Sequence, residues 1–467
     1  MPGTFFGIEI GLRGLRAQQQ ALNVTAHNVA NASAPGYSRQ EARMEAATAT
    51  SEPGQAGQMG SGVTISEVRR FRDAFLDAQV RNETSRSGRH ETLQKGLDEI
   101  QSFFNELSDL GLRVVLNRFW DSLQDLANNP ESDAIRRTVI QAAEAVAGTF
   151  RHLGTQLDDL AQNSVDILRV RGGELEQIGR EIASLNARIA EVRATPGEQA
   201  NDLKDKRDLL LDRLSTIVAI SAAEDETSQV RVSIAGQALV SKNVSASVSF
   251  SQGPGGIVLS IGGTNIIPAE KPENLGGEVG GALELKGRIE ATYLADLDSL
   301  ATALTAEVNT VHRSGWGLGD VEHVARDLFS GQDAGIIGVS DEIRAAPSKL
   351  AASAGGLSGD GRVALEMAGL CRKQVMSGGT ATFEDFLSGL TGRLGIEAQE
   401  AGRFAENSQL LIREIENHRD NVQGVSLDEE MANMVRFQHA YTACARLITT
   451  FDALLETLLE RTGLVGR

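Results

Sequence analysis

Cysteine is almost absent from this chain, aromatic residues make up 4%, and only nine prolines interrupt 467 residues. The two cysteines, Cys371 and Cys444, both lie inside helical patterns. They exclude a disulfide scaffold and read as small buried hydrophobes. Scarce aromatics and prolines favour long helices over a compact enzyme core. No apolar run reaches the roughly 18 residues that a membrane-spanning helix needs. The N-terminal MPGTFFGIEIGLRGLRAQQQ has no basic segment followed by an apolar one, so no cleaved signal peptide is expected. Basic residues are outnumbered: 45 Lys and Arg against 63 Asp and Glu give a net charge of −18. That balance excludes nucleic acid or an anionic membrane as the main partner.

Recognisable chemistry is missing too. None of the seven histidines stands in a His-Glu-x-x-His spacing, and no Gly-x-Ser-x-Gly nucleophile motif occurs. His27, His418 and His439 read as surface or packing residues. The run Gly276-Gly-Glu-Val-Gly-Gly281 lacks the lysine and spacing of a phosphate loop and reads as a tight exit from a sheet. The chain is therefore expected to have no catalytic residue, no metal and no cofactor, and not to be an enzyme.

What the sequence has is helical periodicity. From Ser426 onward, Leu427, Met431, Met434, Tyr441, Ala445, Ile448, Leu455 and Leu459 recur in steps of four and three, with Gln438 and Asp452 in the gaps. Such a heptad seam requires a second helix to cover it. Ser426 and Glu429 make a capping box that starts this helix. The first 30 residues offer the partner: Ile8, Leu12, Leu15, Leu22 and Val29 follow the same rhythm, with Gln19 and Ala26 in the vacant positions. Residues 1–39 carry +2 and residues 426–467 carry −2, a sign that favours pairing of the two ends.

Between the ends the pattern changes twice. Residues 45–62 read as a linker or hairpin, and Gly60–Val68 alternates as a short strand. Arg69, Arg70, Arg72 and Asp73 follow and read as a solvated helix start or, less readily, an anion site. Residues 90–217 are helical, with Pro130 and the Pro196-Gly197 turn as interruptions and a seam slip near Leu175. If continuous, residues 132–193 would form a rod of roughly 90 Å. Residues 218–282 switch to period two and read as a small β domain. Helices return at 283–312, 361–376 and 382–423, while 315–360 is Gly-rich and loop-like, with a weak strand signal at Ile336–Val339.

Several short motifs add up. Asn28-x-Ala30-Asn31-x-x-x-Pro35-Gly36-Tyr37-Ser38-Arg39-Gln40 resembles the N-terminal signature of bacterial flagellar axial proteins, and its ending is closest to the hook-associated protein 1 family at the hook–filament junction. Asn201-x-Leu-x-Asp205-x-Arg207-Asp208 and Asn309-x-x-His312 are similar to the same family. The resemblance implies a structural subunit that polymerises as a ring or helix. Its implied partners are the hook protein and the second junction protein, hook-associated protein 3. It also implies export by the flagellar type III apparatus, a cytosolic chaperone on the C-terminal helix, and an extracellular location on the flagellum. The axial packing would then fall on Ile8, Leu12, Leu15, Gln19, Leu22, Val29, Asn31, Pro35, Gly36 and Tyr37, and on Leu427, Met431, Met434, Gln438, Tyr441, Ile448, Leu455 and Leu459. The run Asn201–Asp208 would belong to the shaft. A hook or rod subunit is the structural alternative, and a coiled-coil adaptor or adhesin-type binding protein the alternative of another class.

The expected fold is mainly α with a β insertion: a long antiparallel helical, coiled-coil rod formed by the N- and C-terminal segments, plus a small β-rich domain. The expected division is 1–40 with 426–467 as a terminal coiled coil, 41–217 with 283–425 as a helical rod, and 218–282 as an outer β-rich insert.

Overall fold

The structure, a computed structural model, describes residues 5–51, 58–104, 111–195, 199–253, 256–266 and 274–461. Leu107, the Pro196-Gly197 turn, half of the turn at 253–256 and the tail 463–467 lie outside them. The fold is mainly α with a β insertion, as the periodicity implies.

Helix α1 spans Phe6–Asn31. A hairpin arm follows, in which β1 (Gln40–Ala46) pairs antiparallel with β4 (Val63–Arg70) and the short β2 (Thr50–Ser51) pairs with β3 (Gln58–Met59). Only the second half of this arm alternates clearly in sequence, so β1 escaped notice. Then come α2 (Ala74–Phe104), α3 (Leu112–Asn128) and α4 (Asp133–Arg193). Ser132 caps α4 by accepting a hydrogen bond from Ile135 N at 3.4 Å. Its 61 residues run unbroken through Gly172-Gly173, about 90 Å at 1.5 Å per residue.

The buried stripe of α4 steps through Leu157, Leu160, Ser164, Leu168, Gly172 and Leu175. The extra four-residue step lies at Ser164–Leu168, ahead of the site expected near Leu175, and it leaves Ile167 exposed. A four-residue insertion of this kind keeps a straight helix facing its neighbours where strict heptads would drift.

After α5 (Asn201–Ile217) the chain forms two small antiparallel sheets. One has four strands in sequence order, β5 (Ser221–Glu224), β6 (Val230–Ile234), β7 (Gln237–Ser241) and β8 (Val244–Ser245). The other has three, β9 (Val248–Gly253), β10 (Gly256–Ile261) and β11 (Thr264–Ile266). These strands share one apolar core with α4 and α5, through Val232, Leu239 and Leu259 against Leu175, Ile182 and Leu214. Asn186 of α4 ties in their backbone, donating to Val230 O and Lys242 O at 2.8 Å each and accepting from Val230 N. Seven short strands cannot bury enough surface alone, so they lie along the rod.

The glycine run is not a sheet exit. It forms the first turn and a half of α6 (Gly277–Arg288), which continues through a π-helical stretch into α7 (Ala295–Arg313). Gly277 has φ +58°, and a Cβ there would collide with the Ile217 backbone; a Cβ on Gly281 would lie 2.6 Å from Arg89 O. The glycines are there for close packing of α6 on α2 and α5.

Residues 315–360 pack on the rod. There β12 (Phe329–Ser330) pairs with β13 (Gly338–Val339), near the short α8 (Asp341–Ala345). Arg151 and Arg136 of α4 donate to Ile337 O (2.8 Å) and Leu350 O (2.5 Å). His312 accepts from Ala351 N through Nε2 and donates from Nδ1 to Arg326 O, and burial pushes its pKa down, so it is a neutral tie within the core. Helix α9 (Arg362–Gly369) is shorter than expected, whereas α10 (Phe383–Gln423) matches and starts at a Thr382–Asp385 capping box. The chain ends in α11 (Leu427–Arg461). Ser426 Oγ accepts from Glu429 N at 3.5 Å, but the Glu429 carboxylate turns to Arg39, so the expected box is not reciprocal.

Gly277→Ala should cost about 1–3 kcal/mol from the strained left-handed backbone and the collision together. Gly148→Ala in α4, where a Cβ meets open space, should instead stabilise by about 0.5–1 kcal/mol. Urea midpoints at constant m-value check both.

Candidate assembly interface

Helices α1 and α11 run antiparallel along each other in a constant register: Gly7 faces Phe451, Gly11 faces Ile448, Gly14 faces Cys444 and Asn28 faces Glu430. On α11 the inward positions are Glu430, Met434, Phe437, Tyr441, Cys444, Ile448, Phe451 and Leu455, a heptad rhythm. The expected Met434, Tyr441, Ile448 and Leu455 are among them. Leu427 (52% exposed), Met431, Gln438 and Leu459 (82% exposed) are not; they face solvent. Phe437, Cys444 and Phe451 take the alternate places.

On α1 the seam lies one residue earlier than the apolar pattern suggests. Its inner positions are Gly7, Gly11, Gly14, Gln18, Ala21, Thr25 and Asn28, with Ala17 also buried. Ile8, Leu15, Leu22 and Val29 are half-buried on the flank, while Leu12 and Gln19 are exposed. The reason is steric. A Cβ on Gly7 would overlap the Phe451 ring, and one on Gly11 would lie 2.8 Å from Ile448 Cγ1. Small residues therefore let two backbones approach closely, and the large aliphatic side chains are pushed outward.

The root of the pair is polar and closed. Asn28, 1% exposed, uses both ends of its amide. Its Oδ1 accepts from Tyr37 Oη (2.8 Å) and Gln40 N (3.0 Å), and its Nδ2 donates to Gln40 O (2.8 Å) and Glu430 Oε2 (3.0 Å). Glu430, 2% exposed, takes Arg39 Nε at 2.8 Å on its other oxygen. Arg39 Nη1 donates to Glu429 at 2.9 Å and its backbone N–H to Gln423 O. The opposite charges of the two ends thus meet at Arg39. Burial and the carboxylates of Asp202, Asp205 and Glu430 raise the Tyr37 pKa, so the phenol stays protonated and donates. Asn31 donates to His27 O at 2.9 Å and ends α1; Pro35 and Gly36 are exposed, Gly36 with φ +75° beside Leu209.

The same loop is riveted to the shaft. Ser38 donates through N and Oγ to Asp205, and Gln40 Nε2 to Asp202 Oδ1. Arg70 Nη1 binds Asp205 Oδ1 at 2.6 Å and Asp208 Oδ2 at 3.0 Å. Arg72 binds Asp77 at 2.7 Å and lies 3.3 Å from Asp208. Arg81 and Arg419 both hold Asp212. Arg69 stays exposed, paired with Glu41, but Arg70, the last residue of β4, and Arg72 are neither a solvated helix start nor an anion site. They neutralise the buried acids of Asn201–Asp208, whose role is to join terminal loop, arm and shaft, beyond the simple shaft position expected. Burial pushes the Asp208 carboxyl up, but Arg72 and Arg70 outweigh it and hold its pKa below the usual value. Sequence reasoning missed Asn28, Ser38, Arg39, Asp205, Asp208 and Glu430 as structural residues. The available signal was their place in the same motifs.

No group of His, Cys, Asp or Glu side chains is placed to hold a metal among the described residues, and none of their helices is long and apolar enough to cross a membrane.

Comparison with known proteins then decides the family. The chain is 35% identical, over its whole length and that of the relative, to flagellar hook-associated protein 1 of Bacillus subtilis (strain 168). The chain belongs to the flagellar hook-associated protein 1 family. It is also 25% identical to the Escherichia coli K12 member, over 97% of this chain and 99% of that one. The family model for the helical domain of flagellar hook-associated protein FlgK matches residues 97–329. The models for the basal body rod protein and for the C-terminal region of rod FlgEFG proteins match residues 8–37 and 421–461. The flagellar hook junction protein FlgK from Burkholderia pseudomallei shares the fold, with TM-score 0.63 and 14% identity over 74% of this chain and 100% of that one. α1 and α11 thus fall in the segments matched by rod-protein models, and the hook-associated helical domain is matched between them. It is a structural family.

Asp208→Ala removes one of two buried carboxylates from each of Arg70 and Arg72, which keep Asp205 and Asp77, and should cost about 1–3 kcal/mol, read from denaturant unfolding. The pH dependence has a definite sign. A carboxyl depressed in the folded state contributes stability above the ordinary value of about 3.9, and that stability is lost as pH falls below it. The fold should therefore hold its stability down to about pH 4 and lose it below; a midpoint still constant under those conditions would contradict the ion-paired state of Asp208.

Proposed function

We propose that the chain is a building block of the junction between flagellar hook and filament, polymerising through the outward faces of α1 and α11. One observation carries this: α1 turns its small residues inward onto the larger side chains of α11, while Leu12, Leu427, Met431, Val435 and Leu454 stand outside. An unpartnered apolar face of that extent marks an interaction surface, and family membership supports copies and neighbouring flagellar subunits as its cover. The assembly residues are then Leu12, Leu427, Met431 and Leu459, flanked by Ile8, Leu15, Leu22 and Val29, with Gln19 and Gln438 as polar contacts.

The division into a terminal pair, a helical rod and a β insert belongs to this reading. So do the hook protein and hook-associated protein 3 as partners, a chaperone covering α11 before assembly, export without a cleaved signal, and a non-catalytic role. The rod-type ends favour no separate rod or hook function, because the helical domain accompanies them.

Two measurements test the reading. Because α1 buries little beyond Gly11, Gly14, Ala17, Ala21, Thr25 and Asn28, its amides in the free monomer should exchange much faster than those of α4, and should slow on assembly. Strong protection of both ends at low concentration would count against polymerisation by terminal ordering. Leu12→Asp combined with Met431→Asp should leave stability within about 0.5 kcal/mol, as exposed sites do, yet give cells whose hooks carry no filaments.

A further inference from the structure

Helix α10 is amphipathic twice. Its inner stripe, Leu387, Leu390, Leu394, Ala398, Ala401 and Ala405, is buried, facing α2. Its outer side carries Ile396 (67% exposed), Leu410, Leu411 and Val422, whereas Phe404, half exposed, stacks on His90 of α2. A helix packed on one side has no use for a second apolar stripe unless something covers it. In the chain that stripe is followed, after Gly424–Ser426, by the exposed Leu427, Met431 and Val435 of α11, residues of the surface proposed above for assembly.

Charge says what the cover is. Residues 396–422 hold six carboxylates against three arginines, and Glu400, Glu406 and Glu414 are exposed on the outer side. The terminal pair is the reverse. Residues 10–38 and 431–451 contain no Asp or Glu, but hold Arg13, Arg16, Arg436 and Arg446. Arg16, Arg436 and Arg446 are exposed and enter no ion pair among the described residues, whereas Arg13 is engaged with Glu9. In a chain of net charge −18, these two stretches are a basic, apolar exception.

We propose that the outer face of α10 receives the terminal helix pair of a second copy of this chain, Arg436 and Arg446 lying against Glu406 and Glu414, with Val435 packing against Leu410 and Leu411. The inference rests on the polymerisation reading and names its surface. The contact is heterologous, the terminal pair of one copy on the shaft of the next, so it generates a ring or a helix and no closed dimer. Charge supplies register and apolar area supplies affinity.

The test is a charge swap in the full-length chain. Glu406→Arg with Glu414→Arg, or Arg436→Glu with Arg446→Glu, should each weaken self-association in sedimentation by about tenfold or more and flatten its salt dependence. Thermal melting checks that each variant is folded. All four substitutions together should restore association to within about threefold, because opposite charges again face each other. Either pair without effect, or no recovery in the combination, would overturn the proposal. If the swaps change nothing while Leu12→Asp with Met431→Asp abolishes filament attachment, this surface is wrong and the junction reading stands. If that apolar variant still attaches filaments, the junction reading itself fails.

Discussion

One amide holds the two ends of the chain together. Asn28 has two acceptor sites and two donors, and all four are occupied by Tyr37, Gln40 and Glu430. Through Glu430 the network reaches Arg39, and through Ser38 and Gln40 it reaches Asp205 and Asp202 on α5. Burial makes each of these bonds stronger than in water, and each missing member more costly. Ionic networks of this kind add little net stability over apolar packing. What they do is specify direction. The network ties the root of the terminal pair to the arm and to α5, where each donor meets its carboxylate.

The pair beyond that root follows the opposite logic. Glycine and alanine at the seam remove side-chain bulk, so the helices come close, but they bury little apolar area. The hydrophobic contribution scales with the area removed from water, which leaves the pair weakly held as a monomer. Leu12, Leu427 and Met431, which could have stabilised it further, stand outside. A chain designed as a stable monomer would place them the other way round. The arrangement has physical sense when the outward side chains are covered by neighbours, and the rigid root then sets where those neighbours sit.

Periodicity carries most of the architecture. The long α4, the return helix α5, the switch to strands after Ile217 and the pairing of the termini all follow from apolar spacing. The same signal misplaces the α1 seam by one position, about 100° of rotation, because it ranks Ile8, Leu12 and Leu15 above Gly7, Gly11 and Gly14. Nothing in a hydrophobic pattern registers that a glycine row is the contact surface. The polar root is less legible still. Arg70 and Asp205 are 135 residues apart, so neither shows from its neighbours whether it is solvated or paired. Gly276–Gly281 shows the same limit: the run is visibly special, but whether it ends a sheet or starts a closely packed helix depends on α2 and α5. The motifs containing Asn28, Arg39 and Asp208 pointed to the correct segments, and the structure supplied their pairing.

Charge distribution completes the mechanical picture. A net charge of −18 spread over the rod repels copies that approach at random, and keeps free subunits apart. Screening limits that repulsion to roughly 8 Å at physiological ionic strength. Within this distance local sign matters more than the total. The acid-free stretches of α1 and α11 are then attracted to any carboxylate-rich, apolar face brought against them in register. Long-range repulsion with short-range complementarity favours growth on an existing, oriented end over free aggregation. The fold supplies the orientation through the Asn28–Glu430 root, and the sequence supplies the sign by excluding every Asp and Glu from residues 10–38 and 431–451.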